Sequence, residues 1–257
     1  MSPRISIITA VFNRASTVQA SIESVLKQRR ANIEYIVIDG NSSDGTQEVV
    51  RRYESSLAKF ISEPDTGIYN ALNKGVLAAS GDIVGFIHAD DTLANPNAIR
   101  LIADAFQDPT VDAAYGDLVY VDAGRPERIV RYWKSGQASE SRFRRGWMPP
   151  HPTFYLRREH YLNLGSYRED FQISADYELL IRMLFKHRLK PAYVDHVLVK
   201  MRLGGKSNVS VGNRLLANRE DRRAWEVNGL RAPFGLQLFK PLRKLYQYWL
   251  RPKACST

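Results

Sequence analysis

Two adjacent carboxylates, Asp90 and Asp91, directly follow a short apolar segment of this sequence. Adjacent carboxylates repel each other unless a cation lies between or near them. Carboxylate oxygens are ligands that Mg²⁺ and Mn²⁺ favour, and both ions can also bind substrate phosphates. The pair therefore indicates either a divalent-metal site or a polar cap on a turn or helix start.

Small and acidic residues also follow three earlier apolar segments, in the ranges 9–13, 39–45 and 63–67. Asp-Gly and Ser-Asp-Gly are common turn sequences, so each range alone fits a simple turn. In an open α/β sheet, however, ligands bind at the carboxyl ends of the strands. Four strand ends of the same character predict one acidic rim that holds a ligand.

In the segments that must position this rim, the spacing of apolar residues alternates between that of strands and that of helices. Strands are predicted at 5–9, 35–38, 59–61 and 83–87, and helices at 18–26, 46–53, 68–79 and from Asn95 onward. Ser16 and Gln19 predict a capping box for the first helix. Ile68, Leu72, Val76 and Leu77 are expected on one face of the third helix. This alternation predicts a doubly wound, mainly parallel α/β sheet.

The second half of the chain is less regular. Residues 111–121 predict one or two strands, and 122–147 read as a surface excursion or flexible loop. Further strands are expected at 153–156 and 192–201. Ser174 is expected to cap a helix that buries Leu179, Leu180, Met183 and Leu184, and a polar helix is expected at about 212–227.

The net charge of +10 is unevenly distributed. Residues 1–124 carry 10 basic and 16 acidic side chains, and residues 125–257 carry 27 and 11. An acidic first half suits a metal site, and a basic second half suits an anionic partner or simply forms a solvated surface. Residues 234–252 mix aromatic, aliphatic and basic residues, which favours a helix lying in a membrane interface, a helix docked on the domain or a dimer contact.

Several classes of protein are disfavoured. The single cysteine, Cys255, cannot form an internal disulfide, which favours a reducing compartment. We find no signal peptide and no run of the roughly 20 apolar residues that cross a membrane. The first strand is followed by neither the glycine fingerprint of dinucleotide sites nor a P-loop. The basic residues form no recognised nucleic-acid motif, so nucleic acid is not an expected partner.

The sequence resembles the family 2 glycosyltransferases, most closely those of exopolysaccharide synthesis such as colanic-acid-type transferases. The similarity runs in order through about residues 4–210. It is carried by Ser6-Ile7-Ile8-Thr9 with Asn13, Ile38-Asp39-Gly40 through Thr46, Glu63 through Gly75, Gly81-Asp82, Ser174 through Leu179, and Gly204-Gly205-Lys206-Ser207.

The resemblance implies a GT-A fold and an inverting transfer from a nucleotide-diphosphate sugar, with UDP or GDP as the nucleotide. Asp176 would be the catalytic base, and Asp91 with Asp90 would hold Mn²⁺ or Mg²⁺, with Asp91 the favoured direct ligand. The implied nucleotide-binding residues are Thr9, Ala10, Asn13, Asp39, Asp65, Asn73 and Lys74. The implied diphosphate or acceptor residues are His151, Arg202, Gly205 and Ser207, although His151 is equally compatible with a structural loop role.

We therefore predict a catalytic domain at 1–230 and a basic amphipathic, membrane-associating tail at 231–257. The expected acceptor is a saccharide, lipid-linked at the cytoplasmic face of the inner membrane, in surface polysaccharide synthesis. Two other classes remain open. One is a sugar nucleotidyltransferase, whose glycine-rich basic loop is not present at residues 10–14. The other is a non-catalytic protein that binds anionic polymers or serves as a scaffold.

Overall fold

The computed structural model describes residues 3–29, 31–203, 211–236, 246–250 and 252. Its strands are β1 (Arg4–Val11), β2 (Asn32–Asp39), β3 (Lys59–Ser62), β4 (Ile83–Phe86), β5 (Asp91–Leu93), β6 (Ala113–Val121), β7 (Ile129–Trp133), β8 (Tyr155–Arg157) and β9 (Pro191–Arg202). Its α-helices are α1 (Val18–Leu26), α2 (Thr46–Arg51), α3 (Ile68–Ala78), α4 (Ala98–Ala105), α5 (Glu140–Arg144), α6 (Arg158–Leu164), α7 (Ala175–Leu180) and α8 (Val211–Glu226). A π-helical segment, Ile181–Lys186, continues α7.

The strands form one mixed sheet in the order β3-β2-β1-β4-β8-β6-β9-β5, with β7 paired to β6. The first four of these strands are parallel, as are β6 and β9. Strands β5, β7 and β8 pair antiparallel with their neighbours: β5 with β9, β7 with β6, and β8 with both β4 and β6. The predicted doubly wound sheet is confirmed, and the carboxyl ends of β1 to β4 lie at one edge of it.

Helices cover both faces of the sheet because successive residues of each strand point to opposite sides. In β1, Ile8 belongs to a core shared with α3, α7 and α8, whereas Ile5 and Ile7 belong to a core shared with α1 and α4. These three side chains are fully buried. Each such side chain contributes roughly 1.5–3 kcal/mol to stability, and β1 is buried on both faces because helices cover both sides of the sheet.

Two predictions about the early helices are wrong. Thr17 occupies the N-cap of α1 without a side-chain cap bond, and Gln19 donates to Glu23 within the helix instead of forming a capping box with Ser16. In α3, Leu72 and Val76 are buried, but Ile68 and Leu77 are 43% and 72% exposed. Leu77 lies about 100° around the helix from Val76, which turns it away from the sheet. The helix predicted at 46–53 ends at Arg51, and a 3₁₀ turn covers Glu54–Ser56.

The segment 122–147 is not a loose excursion. It contains β7 and α5 and buries the rings of Tyr132, Phe143 and Trp147. The Trp147 indole donates to the Ser135 carbonyl at 2.9 Å. Isolated aromatic anchors of this kind have no period, which is why a search for periodicity missed them.

Most of the predicted amphipathic tail helix lies outside the described residues, which resume at 246–250. There a 3₁₀ turn, Tyr246–Tyr248, packs on β7, with the Arg131 guanidinium 5.8 Å from the Tyr248 ring. Among the described helices none is long and apolar enough to cross a membrane. Two predicted site residues, Gly205 and Ser207, also lie outside the described residues.

Candidate functional site

The ends of β1 and β2 are joined by hydrogen bonds around the buried carboxylate of Asp39. This carboxylate accepts from the Ser42 backbone amide at 3.0 Å and from the hydroxyls of Ser42 and Ser62. Asn13 has a left-handed φ of 52°. Its backbone amide donates to the Ser42 hydroxyl, and its side-chain oxygen accepts from the Ser43 backbone amide. The acidic turn predicted from the sequence is therefore a rigid ledge built from both strand ends.

Asp65 lies against this ledge because Gly40 leaves room for it. A Cβ at Gly40 would lie 2.4 Å from Asp65 Oδ2 and 3.3 Å from the Phe12 ring. The other oxygen of Asp65 accepts from the Gly67 amide at 2.9 Å. Phe12 is 51% exposed, so the ledge presents an aromatic ring next to a carboxylate. That combination can hold a planar, polar ring such as a nucleobase.

Asp91 is the most unusual acidic residue of the rim. It is 1% exposed, and neither carboxylate oxygen makes a hydrogen bond of ordinary length and angle among the described residues, although the Arg202 backbone amide is close enough to lower its pKa. Burial, and then the nearby Asp90 carboxylate, raise the pKa of Asp91 well above its ordinary value, while the backbone amide of Arg202 and then its charge partly offset them. Arg202 is close because β5 and β9 pair Asp91 with Met201.

A buried carboxylate without a partner is costly, and a cation would compensate it. The Asp91 oxygens therefore fit a divalent ion, with the less buried Asp90 beside it. Within the described ranges, no three His, Cys, Asp or Glu side chains converge as a metal cluster. The protein would thus supply few ligands, as is usual for Mg²⁺ sites completed by water and substrate phosphates.

A stacked aromatic array extends from the metal-binding candidates into the second half of the chain. The His88 and His151 rings stack with centroids 5.7 Å apart, and His151 also stacks on Phe86. His151 Nε2 lies 2.6 Å from the Tyr167 hydroxyl oxygen. Burial, and then His88, lower the pKa of His151 to about 3, so its imidazole is neutral at physiological pH. His151 is therefore an uncharged, buried group at the rim.

Asp176 lies at the far end of this array. Tyr167 stacks with Tyr69 at 5.8 Å, and the Tyr69 hydroxyl donates to the Ile173 carbonyl at 2.6 Å. Burial raises the pKa of both tyrosines, and the Asp176 carboxylate contributes to the rise, which places that carboxylate near both rings. Asp176 is partly exposed in the first turn of α7, where it also accepts from the Tyr177 amide. Its predicted role as the catalytic base stays a prediction.

The side chains of the remaining predicted site residues make contacts within the protein. Thr9 is fully buried and its hydroxyl lies 3.0 Å from the Tyr35 hydroxyl, and Ala10 belongs to the core. The Asn73 side chain bonds both the amide and the carbonyl of Tyr167. The Lys74 ammonium bonds the Pro64 carbonyl and pairs with Glu63 at 2.7 Å. Their contribution to nucleotide binding stays a prediction, and their contacts in the structure hold the rim together.

Three residues important to the site were missed from the sequence. Phe12 could have been noticed as an aromatic residue at the end of the first strand. Tyr167, which contacts His151, carried no local signal. Glu220 on α8, whose carboxylate accepts the backbone amides of residues 172–174, gave no signal either, because it stood in a helix that was predicted only as polar.

This edge, with its buried carboxylates at the ends of parallel strands, is where open α/β proteins bind ligands. Residues 6–172 match the model of glycosyl transferase family 2, and the chain belongs to that family. An uncharacterized glycosyltransferase of Mycobacterium tuberculosis is 32% identical over 190 residues, which cover 70% of this chain and 69% of the relative. A PGL/p-HBAD biosynthesis glycosyltransferase of Mycobacterium bovis is 27% identical over 221 residues, 84% of this chain and 83% of the relative.

Solved structures show the same fold, which is GT-A-like. A mannosyltransferase from Pyrobaculum calidifontis in complex with GDP-Man and Mn²⁺ gives a TM-score of 0.64 at 20% identity, over 96% of this chain and 70% of that one. The structure of S. aureus TarS 1–349 in complex with UDP-GlcNAc gives a TM-score of 0.62 at 16% identity. The match covers 95% of this chain and 78% of that one. The match to a longer TarS structure covers 42% of the length of that structure's chain.

Proposed function

We propose that this glycosyltransferase moves a sugar, with inversion, from a UDP or GDP donor to a saccharide acceptor in surface polysaccharide or glycolipid synthesis. The observation that carries the proposal is the buried carboxylate of Asp91, whose oxygens make no hydrogen bond of ordinary geometry among the described residues. Asp39 at the carboxyl end of β2 and Asp65 just after β3 support it. The curated relative named for PGL/p-HBAD biosynthesis supports the glycolipid direction. Similarity to colanic-acid-type transferases remains part of the proposal.

The donor would lie along the rim. The nucleoside would lie on the ledge beside Phe12 and Asp65, and its diphosphate would point towards Asp91 and Arg202. Mn²⁺ or Mg²⁺, when bound, neutralises the charge of the diphosphate leaving group. Gly205 and Ser207, with Arg202, are proposed to complete the diphosphate site.

Asp176 is proposed as the general base. Inversion requires the acceptor hydroxyl oxygen to attack the anomeric carbon from the side opposite the diphosphate. The bond from that carbon to the diphosphate oxygen breaks as the new glycosidic bond forms, and Asp176 takes the hydroxyl proton. The neutral His151 is proposed to hydrogen-bond the diphosphate or the acceptor without adding charge.

The acceptor is proposed to be lipid-linked, with the chain bound peripherally to the inner face of the cytoplasmic membrane. Residues 1–230 would form the catalytic unit and 231–257 the membrane-associating tail. The start of this tail supports the proposal, since Phe234 is fully exposed beside a groove that Arg144, Arg222 and Arg231 line together with Glu226, which pairs with Arg222. Cationic side chains around an exposed aromatic ring suit an anionic lipid surface.

The first test is thermal unfolding with UDP, GDP and their sugars, with and without Mn²⁺ or Mg²⁺. A ligand at about 100 times its Kd adds roughly 2.7 kcal/mol, which is on the order of 5–10 °C for a domain of this size. A metal-dependent shift with one nucleotide is expected. A folded protein that responds to no nucleotide would contradict the donor proposal.

The second test is turnover by Asp176→Asn. This variant is expected to keep donor binding, measured by the same thermal shift, and to lose transfer. Retained turnover would remove Asp176 from the mechanism. The membrane proposal is tested separately by deleting residues 237–257, which keeps the buried Leu236. The deletion should abolish sedimentation with anionic vesicles while donor binding is kept.

A further inference from the structure

The three residues before α7 are held by a side chain of α8, 46 to 48 residues further along the chain. The Glu220 carboxylate on α8 accepts the backbone amides of Gln172 at 2.7 Å, Ile173 at 2.9 Å and Ser174 at 2.8 Å. Glu220 is only 5% exposed. A charged acceptor that binds several amides in a buried place makes strong, directional hydrogen bonds.

These bonds hold the loop that enters α7. Ser174 occupies the N-cap position of α7, yet its side chain makes no cap hydrogen bond. Of the three amides, only that of Ser174 belongs to the helix start, where amides have no partner within the helix. Those of Gln172 and Ile173 belong to the loop before it. Here the acceptor comes from 46 to 48 residues away in the sequence. The backbone that leads into α7 is thereby fixed by α8 and not by its own sequence.

Other contacts from the end of α8 fasten the same region. The Arg223 guanidinium donates to the Asp170 carbonyl at 3.0 Å and lies over the Phe171 ring. The Trp225 indole donates to the Tyr177 hydroxyl at 3.1 Å. These contacts lie on both sides of Asp176 in the sequence, so the carboxylate at the start of α7 is supported before and after.

We propose that Glu220 is the positioning residue for Asp176. By binding the amides of residues 172–174, it sets the direction in which α7 leaves the loop, and so the place of the Asp176 carboxylate. Displacement of a reacting group by about 1 Å can lower a rate about 100-fold. This inference rests on the proposed function, in which Asp176 is the general base.

The test is Glu220→Gln, which keeps the shape of the side chain but replaces one accepting oxygen with a donating NH₂ group. At least one of the three amides then loses its acceptor. We expect kcat to fall about 10- to 100-fold, with donor Kd and acceptor KM within about twofold of wild type. Glu159→Gln, an exposed glutamate on α6, is the matched control and should leave all three values unchanged.

Assays at a temperature well below the unfolding midpoint of each variant separate positioning from loss of folded protein. Glu220→Asp keeps the charge and is the second variant should Glu220→Gln not fold, and it too should lower kcat at unchanged donor Kd. Wild-type kcat in a folded Glu220→Gln or Glu220→Asp protein, or a loss explained by donor Kd alone, would overturn the inference. Loss of turnover in Asp176→Asn alongside such a result would leave the proposed function standing, whereas turnover retained in Asp176→Asn would remove the proposed base itself.

Discussion

His151 Nε2 lies 2.6 Å from the hydroxyl oxygen of Tyr167, and both side chains are buried. Burial lowers the pKa of His151 to about 3 and raises the pKa of Tyr167 well above its ordinary value. Both groups are therefore neutral from about pH 5 to 9, and the bond between them does not titrate in that range. It is a fixed link between the β4 edge and the segment that leads to Asp176.

Tyr167→Phe should destabilise the protein by about 1–2 kcal/mol, because it leaves the buried His151 nitrogen without its partner. Tyr155→Phe is the matched control, since the buried Tyr155 hydroxyl has no hydrogen-bond partner among the described residues. Its removal should be neutral or slightly stabilising. Urea unfolding of both variants measures the difference, and equal losses would contradict the assignment.

Asp91→Asn should raise the thermal stability of the metal-free protein or leave it unchanged, while the nucleotide- and metal-dependent shift disappears. The folded-state pKa of Asp91 is raised, so the buried carboxylate destabilises the fold above about pH 4, and the benefit of Asn should vanish below that pH. Asp104→Asn, on the exposed surface of α4, should keep the wild-type response. A ligand shift retained in Asp91→Asn would contradict its proposed role as a metal ligand.

Gly40→Ala should weaken donor binding about tenfold, which is about 1.4 kcal/mol, because the new Cβ would displace Asp65 from the ledge. The fold should tolerate the change at a cost of about 1–3 kcal/mol, as for other overpacked sites. Gly124→Ala meets no atom closer than 3.7 Å and is the control. Isothermal titration with the donor nucleotide gives the comparison, and unchanged affinity would exclude Asp65 from the site.

Glu34 lies near the start of β2, at the opposite end of the strands from the rim, and should make the stability of the fold sensitive to acid. Burial raises the pKa of Glu34, but hydrogen bonds from Ser6 and Ser80 and the charge of Arg4 outweigh it and bring the pKa to about 2. The stabilisation is therefore complete above the ordinary value of 4.5 and is lost as the pH falls towards 2.

Glu34→Gln should accordingly unfold on the order of 2–3 kcal/mol more easily at pH 7, and the difference from wild type should shrink between pH 4.5 and 2. Urea unfolding across that range measures it. Glu159→Gln provides the surface comparison. A difference that stays constant with pH would show that packing, and not charge, is responsible.

Strand-helix alternation in the first 106 residues was visible in the sequence because each buried strand and each helix face leaves a local period. β1, β2, β3, β4 and α4 followed from that period, although the capping box at Ser16 did not form. Residues 122–147 were misjudged, because Phe143 and Trp147 are buried one at a time. Single anchors depend on what the rest of the chain brings against them.

The sequence by itself determined the family, the sheet and the acidic rim, because these follow from local patterns and from motifs at fixed spacing. Only the tertiary structure decided how the rim residues are used. It left Asp91 buried without a partner, turned Asn73 towards Tyr167 and brought Glu220 to the start of α7. These outcomes depend on contacts between residues 46 to 94 positions apart or on the absence of such contacts, and no local pattern encodes them.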